Sequence, residues 1–312
     1  MASSLGRFTR AAATGRAIRR LGRWSALGAA ALALCGCYPA VLDPQGPVGA
    51  GEKLILLDAL AIMLAIVVPV IIATLGFAWW FRASNSKARH LPDWAFSGRI
   101  ELVVWSIPVL VIMFLGGLTW IASHDLDPAQ PVPGQGKPLE VQVVSLDWKW
   151  LFIYPDEGIA SVNELVAPTG APIHLSLTSG SVMNAFFVPQ LGSMIYTMNG
   201  MVTQLYLRAD RAGAYYGLSS MYSGDGFSDM RFETRAVTPA AFAAWAQGAK
   251  ATGPVLDAAA YTALSRPGTA APVTYRAVDP TLFKDIVSRK QPPGPGPANA
   301  PPASPTASKA PS

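Results

Sequence analysis

Leu102-Val103-Val104-Trp105-Ser106-Ile107-Pro108-Val109-Leu110-Val111-Ile112-Met113-Phe114-Leu115-Gly116-Gly117-Leu118-Thr119-Trp120-Ile121 runs without a charged residue. It reaches the roughly 20 residues that a helix needs to cross the hydrocarbon core of a bilayer. A second run, Leu54 to Phe81, has Asp58 as its only charge and ends in Phe77-Ala78-Trp79-Trp80-Phe81. Trp79, Trp80 and Trp120 lie near the ends of the runs, where interfacial aromatic belts sit. The two runs predict transmembrane helices over 54–81 and 100–121. Composition agrees: 51% of the chain is hydrophobic and 14% is charged, against roughly a quarter charged in soluble domains. That excludes a disordered chain and disfavours an ordinary cytosolic enzyme.

Outward from the spans, the connecting loop 82–99 carries Arg82, Lys87, Arg89 and Arg99 against one acid, Asp93. The outer flanks carry Asp43, Glu52, Lys53, Asp125 and Asp127. The positive-inside rule puts the loop in the cytoplasm and both ends of the hairpin outside. The net charge of +5 does not mark a nucleic-acid binder. Arg7, Arg10, Arg16, Arg19, Arg20 and Arg23 all precede Cys37 with no acid among them, and the remainder is near neutral. Residues 1–36 read as a secretory signal: arginines, an apolar stretch from Ala26 to Leu34, then small residues. Leu34-Cys35-Gly36-Cys37 resembles the bacterial lipobox, which makes Cys37 the expected lipid attachment site, with palmitate among its acyl groups. Residues 37–53 would then be a periplasmic segment.

After a linker over 122–138, period-two alternation takes over. Leu139-Glu-Val-Gln-Val, Ile173-His-Leu-Ser-Leu and Met230-Arg-Phe-Glu alternate apolar and polar. The pattern predicts half-buried antiparallel strands in a β-sandwich over 139–237. Thr238-Pro239 and Asp279-Pro280 each pair an N-cap with a first-turn proline, which predicts a helical extension over 238–290. The proline-rich stretch 291–312 should be disordered. The expected class is therefore a membrane protein of α+β type. It has a two-helix transmembrane hairpin, a periplasmic sandwich and a C-terminal helical extension.

These residues carry a resemblance. A lipobox, a hairpin and an exported sandwich resemble subunit II of the haem–copper respiratory oxidases. Leu42-Asp43-Pro44, Val103-Val104-Trp105, Ser145-Leu146-Asp147-Trp148-Lys149-Trp150 and Phe152-Ile153-Tyr154-Pro155 look closest to the cytochrome o ubiquinol oxidase branch. The resemblance covers roughly residues 35–290. It implies a cupredoxin-like Greek-key sandwich. In the cytochrome c oxidases of the family, that sandwich holds a binuclear copper centre. Its ligands lie in His-x-Phe-x-x-Pro and Cys-x-Glu-x-Cys-x-x-x-His-x-x-Met segments. Here Asn184 stands for the first histidine, Ser219 and Ser223 for the cysteines, Met221 for the glutamate and Phe227 for the second histidine; Met230 alone is kept. Beyond Cys37 there is no cysteine, and His90, His124 and His174 are the only histidines. Each histidine reads as a surface or strand residue. No metal and no cofactor are expected in this chain.

The resemblance further implies a proton-pumping complex that oxidises ubiquinol and reduces dioxygen to water in the inner membrane. Haem b, haem o (or a) and one copper would sit in subunit I. The expected partners are subunit I, the other oxidase subunits, ubiquinol bound at subunit I and membrane lipid, with no cytochrome c and no nucleic acid. Both termini would be periplasmic. This chain would be a non-redox subunit of a quinol:dioxygen oxidoreductase, with no catalytic residue of its own. Glu101, at the start of the second span, has two readings. The family implies that it lies at the entrance of a proton pathway; the alternative is an interfacial acid paired with Arg99. Asp58 reads as an acid that snorkels to water or packs near Lys53. Trp148 and Trp150 read as packing residues, and Met183, Met194, Met198, Met201 and Met221 as core and interface filler. Two rivals stay open: a menaquinol oxidase subunit of the same branch, and a free-standing lipoprotein whose sandwich binds a ligand or partner.

Overall fold

The computed structural model describes residues 40–89, 91–292 and 294. The signal segment, Cys37, His90 and nearly all of the proline-rich stretch lie outside the described residues. Two long helices come first, α1 (Pro47–Trp80) and α2 (Gly98–Asp125). Helix α1 begins ahead of its apolar run, because Gly46 in extended conformation and Pro47 at the first position open it there. Pro69 and Pro108 lie inside the helices, as membrane-spanning helices tolerate. The most apolar stretch of each helix is wholly unburied within this chain. Its cover must therefore come from lipid or from other polypeptides.

The sandwich starts at β1 (Leu139–Leu146) and runs through β2 (Lys149–Tyr154), β3 (Ile159–Val162), β4 (Glu164–Pro168), β5 (Ile173–Ser179), β6 (Asn184–Phe187), β7 (Ile195–Thr197), β8 (Thr203–Leu207) and β9 (Gly213–Ser219) to β10 (Arg231–Val237). One sheet has the order β3-β2-β1-β5-β8, with a further strand from the extension, β12 (Val273–Tyr275), beside β3, and the other β4-β10-β9-β6-β7. Parallel pairs β1–β5 and β4–β10 arise because strands distant in sequence return beside one another. Between the sheets, Trp150 meets Phe186 edge-on at 5.4 Å, and Phe186 stacks on Phe232 at 5.0 Å.

The extension is more than helical. It contains α3 (Pro239–Ala251), β11 (Val255–Leu256), α4 (Ala258–Leu264), β12 (Val273–Tyr275), β13 (Ala277–Val278) and α5 (Leu282–Val287). Strand β12 extends the first sheet by pairing with β3. Leu256, Tyr261, Phe283 and Ile286 pack on Val144, Leu146, Leu151 and Ile153, forming a second core on the outer face of that sheet. Strand β2 is therefore buried at every position, as its unbroken run Trp150-Leu-Phe-Ile-Tyr requires. Thr238 caps α3 through Ala241 N, as its sequence predicts. Asp279 does not cap α5: its Oδ1 accepts from Thr281 N at 2.8 Å in a local turn, and the helix starts at Leu282.

The two ends of the hairpin away from its connecting loop are both bonded to the sandwich. Gln45 N donates to Gln190 O, Asp210 N to Gln45 O and Gly49 N to Leu191 O. A Cβ on Gly46 would come within 2.1 Å of Arg208 O, so only glycine fits there. Beyond α2, Tyr206 N donates to Pro128 O, Gln135 N to Gly170 O and Arg208 to Pro133 O. Inside the membrane-facing end, Glu52 accepts a hydrogen bond from Ser193.

Candidate functional site

Strands β6 and β9 pair with Phe186 opposite Ser219, and the loop 220–230 folds back from β9 into β10 through a 3-10 turn at Phe227–Asp229. This brings Asn184, Ser219, Ser223 and Met230 together at one end of the sandwich, all of them buried. Ser219 Oγ donates to Asn184 Oδ1 at 3.2 Å and lies 3.2 Å from Met221 O. Ser223 Oγ lies 3.9 Å from Met230 Sδ. Asn184 Nδ2 donates to Val182 O. Deeper in, Ser145 Oγ and Thr197 Oγ1 share a hydrogen bond of 2.7 Å. The six positions matched to copper ligands thus divide. Asn184, Ser219, Ser223 and Met230 converge, while Phe227 packs edge-on against exposed Tyr222 and Met221 is half-buried.

A binuclear copper centre asks for bridging thiolates and imidazoles. The donors gathered here are an amide, two hydroxyls and one thioether. A serine oxygen is a harder donor than a thiolate sulfur, and its hydroxyl is a far weaker acid than a thiol, so it does not supply the bridging anion. The hydroxyl of Ser219 is also already committed to Asn184. The donor set does not fit copper, and no electron transfer is derived through it.

Trp148 closes the loop from outside. It adopts a left-handed backbone, φ 66°, and its Nε1 donates to Ser223 O at 3.0 Å. Its indole lies so close to Gly226 that a Cβ there would come within 2.3 Å of the ring. Trp150, by contrast, is in the core between the sheets. Both tryptophans therefore pack.

Of the core and interface roles expected of the methionines, the core role does not hold for Met183, Met194, Met198, Met201 and Met221. Met183, Met194 and Met201 are exposed, Met198 and Met221 are half-buried, and only Met230 joins the sandwich core. His174 pairs with Glu140 at 2.6 Å and stacks on Tyr206; the His124 ring lies tilted at 43° against Trp120, 4.7 Å away. Glu101 lies exposed in the first turn of α2, and no ion pair joins it to Arg99 among the described residues. Asp58 likewise makes no ion pair with Lys53; it borders a groove with Ala61 and Gly117. Among the described residues, no three His, Cys, Asp or Glu side chains gather as a metal site.

One residue that the sequence reading passed over is Lys149. It is buried, and its Nζ donates to Leu264 O at 2.9 Å and Arg266 O at 2.6 Å. Burial pulls its pKa down to about 8, with Asp147 opposing. Lys149 fastens the extension to the sandwich. The signal was present in Asp147-Trp148-Lys149-Trp150, a charged residue flanked by tryptophans.

Residues 156–237 match the family described as cytochrome c oxidase subunit II, periplasmic domain. Residues 250–294 match a COX aromatic rich motif, which covers most of the extension. The chain is 48% identical over 275 residues to the ubiquinol oxidase subunit 2 of Acetobacter aceti, covering 87% of this chain and 88% of that one. This chain belongs to the quinol oxidase subunit 2 family. A further member, the cytochrome bo(3) ubiquinol oxidase subunit 2 of Pseudomonas aeruginosa, is 47% identical over 86% of this chain and 81% of its own length. Among solved structures, the periplasmic domain of subunit II of cytochrome oxidase from Bradyrhizobium japonicum is similar at 26% identity. It covers 38% of this chain and 96% of that one, with a TM-score of 0.36. The chain is thus subunit II of a quinol oxidase, part of an oxidoreductase complex in which other oxidase subunits are its partners. Its two long apolar helices and its periplasmic-type domain make it a membrane protein. Nothing in these relatives favours a free-standing lipoprotein.

Proposed function

We propose that this chain serves a ubiquinol-oxidising, dioxygen-reducing complex without carrying electrons itself. The observation behind this is the replacement of thiolate and imidazole by Asn184 and Ser219, hydrogen-bonded to each other and to the backbone, and by Ser223, set against Met230 Sδ, in a chain similar to ubiquinol oxidase subunits. A quinol delivers electrons from within the membrane, so an electron port on the periplasmic side has no task. Haems and copper belong to subunit I in this reading. The hairpin supports subunit I within the bilayer and the sandwich covers its periplasmic face. Exposed Met194, Tyr196, Tyr216 and Tyr222 suit such a contact.

Glu101 takes protons from the cytoplasmic side and passes them towards subunit I. A carboxylate at a membrane boundary with no local cation bonded to it is free to exchange protons with water. Cys37 carries the lipid that holds the mature N-terminus to the outer leaflet of the inner membrane.

Substituting Glu101→Ala in the assembled complex should slow turnover and delay haem reduction, with Glu101→Asp restoring part of both. Unchanged kinetics in E101A would remove the proton role. Copper added to the full-length chain should give no thiolate-type absorption. A stoichiometric purple species would overturn the redox-silent assignment.

A further inference from the structure

The loop end of the hairpin holds a feature that the oxidase role does not use. The chain leaves α1 at Trp80 and folds back on it: Asn85 Nδ2 donates to Trp80 O at 2.6 Å, and Phe81 N donates to Phe77 O. The fold-back shapes a half-open cavity of about 960 Å³, at the upper end of the roughly 300–1,000 Å³ of small-molecule sites. Its wall is apolar, with Phe77, Phe81, Leu91, Trp94 and Ile100; Arg82 and Arg89 supply the charge. The Arg82 guanidinium lies 5.0 Å over the Trp79 ring and donates to Ser84 Oγ and Trp79 O. Those bonds use two of its five N–H donors. No ion pair involves Arg82, Lys87, Arg89 or Arg99 among the described residues, and the loop offers only Asp93 as an acid.

An apolar cavity with unpaired guanidinium groups, set at the end of two membrane-length helices, is complementary to one class of molecule. It matches an acyl chain attached to an anionic head. We propose that this cavity binds a single anionic phospholipid, with its phosphate against Arg82 and Arg89 and an acyl chain along Phe77, Phe81, Trp94 and Ile100. Guanidinium groups suit phosphate oxygens because their donors are planar and paired. The Trp79 ring holds Arg82 at the level of the headgroups, where tryptophans settle. The site depends on the hairpin crossing the membrane and not on the chemistry of the complex.

The test uses the whole complex, stripped of lipid in detergent and re-equilibrated with dioleoyl phosphatidylglycerol or dioleoyl phosphatidylcholine, then weighed intact by native mass spectrometry. The wild type should retain one more phosphatidylglycerol than R82Q/R89Q, with affinity for that lipid falling on the order of tenfold in the variant. R82K/R89K, which keeps the charge, should hold most of it. Ile100→Trp, which narrows the apolar wall, should lower retention with the charges intact. Glycerophosphoglycerol, the headgroup without chains, should not compete. Equal retention of both lipids, unchanged retention in R82Q/R89Q, or full competition by the headgroup would overturn the proposal. So would a complex whose cavity holds a side chain of another subunit and no lipid. The intact mass also reports assembly, so a variant that fails to fold is recognised at once.

Discussion

The hairpin and the sandwich solve opposite problems with the same kinds of residue. Sheet β12-β3-β2-β1-β5-β8 buries Trp150, Phe152 and Tyr154 towards the second sheet, and Leu151 and Ile153 towards the extension. Its apolar side chains find cover inside their own polypeptide. Helices α1 and α2 bury almost nothing against the rest of the chain, although Phe77, Trp105 and Phe114 are as large. The sandwich is therefore a self-sufficient folding unit by area. The hairpin is a surface waiting for lipid and for its partner subunits. A substitution in the first region should register as stability, and one in the second as assembly.

The largest effect should come from Trp150→Ala. It empties the space beside Phe186 and Phe232 and should cost roughly 3–5 kcal/mol, read as a fall in the sandwich's unfolding midpoint within the complex. Next is Lys149→Met, which leaves the carbonyls of Leu264 and Arg266 without their donor. The expected loss is roughly 1–3 kcal/mol. It should appear as faster proteolysis between residues 252 and 290 while the sandwich stays resistant.

Alkali acts on the same fastening in two opposed ways. Lys149 falls from 10.5 to about 8 on burial. Between those values the unfolded chain holds a proton that the folded chain has released, so stability rises with pH through that window. The neutral amine keeps two donors, enough for both carbonyls. Tyr261, on the extension, is pushed by burial from 10.0 up to about 12, and buried Tyr154 is raised as well. Their neutral hydroxyls contribute fully below pH 10.0, and that contribution is lost as the pH climbs through the raised folded values. Protection of the extension against hydrogen exchange should peak near pH 10. A steady decline from pH 8 would contradict the assignment to Lys149.

The smallest effect within this chain should be Gly117→Leu. No atom of the chain lies within 4 Å of a Cβ there, and the change should alter the hairpin's own helicity by no more than about 1 kcal/mol. If co-purification with the other subunits nevertheless collapses, helix α2 packs against a neighbour at Gly117. If assembly is unchanged, that face looks at lipid.

The sequence announced the hairpin openly, because a bilayer-length run without charge has few other uses. It also exposed the missing copper ligands, since Asn184, Ser219 and Ser223 are legible letter by letter. It was silent on the extension's packing. Strand β12 has three residues and α5 has six, too few to show a period. The Asp279-Pro280 pair misleads because aspartate serves a turn as readily as a cap. The methionines left core and surface undivided: a thioether is apolar enough for the one and adaptable enough for the other, and spacing alone does not tell them apart. Lys149 was overlooked because a lysine counts as solvent-facing until its carbonyl partners, more than a hundred residues away, are placed beside it.

The bonds at Gln45 and Gly49 on one stalk, and at Pro128 and Pro133 on the other, leave the sandwich without a swivel. A body hung on one tether can nod and spin; a body gripped at two points keeps its height and heading. Any tilt of α1 or α2 inside the bilayer is thus delivered to the sandwich as a rigid displacement, and a molecule leaning on the sandwich pushes back on the helices with the same leverage.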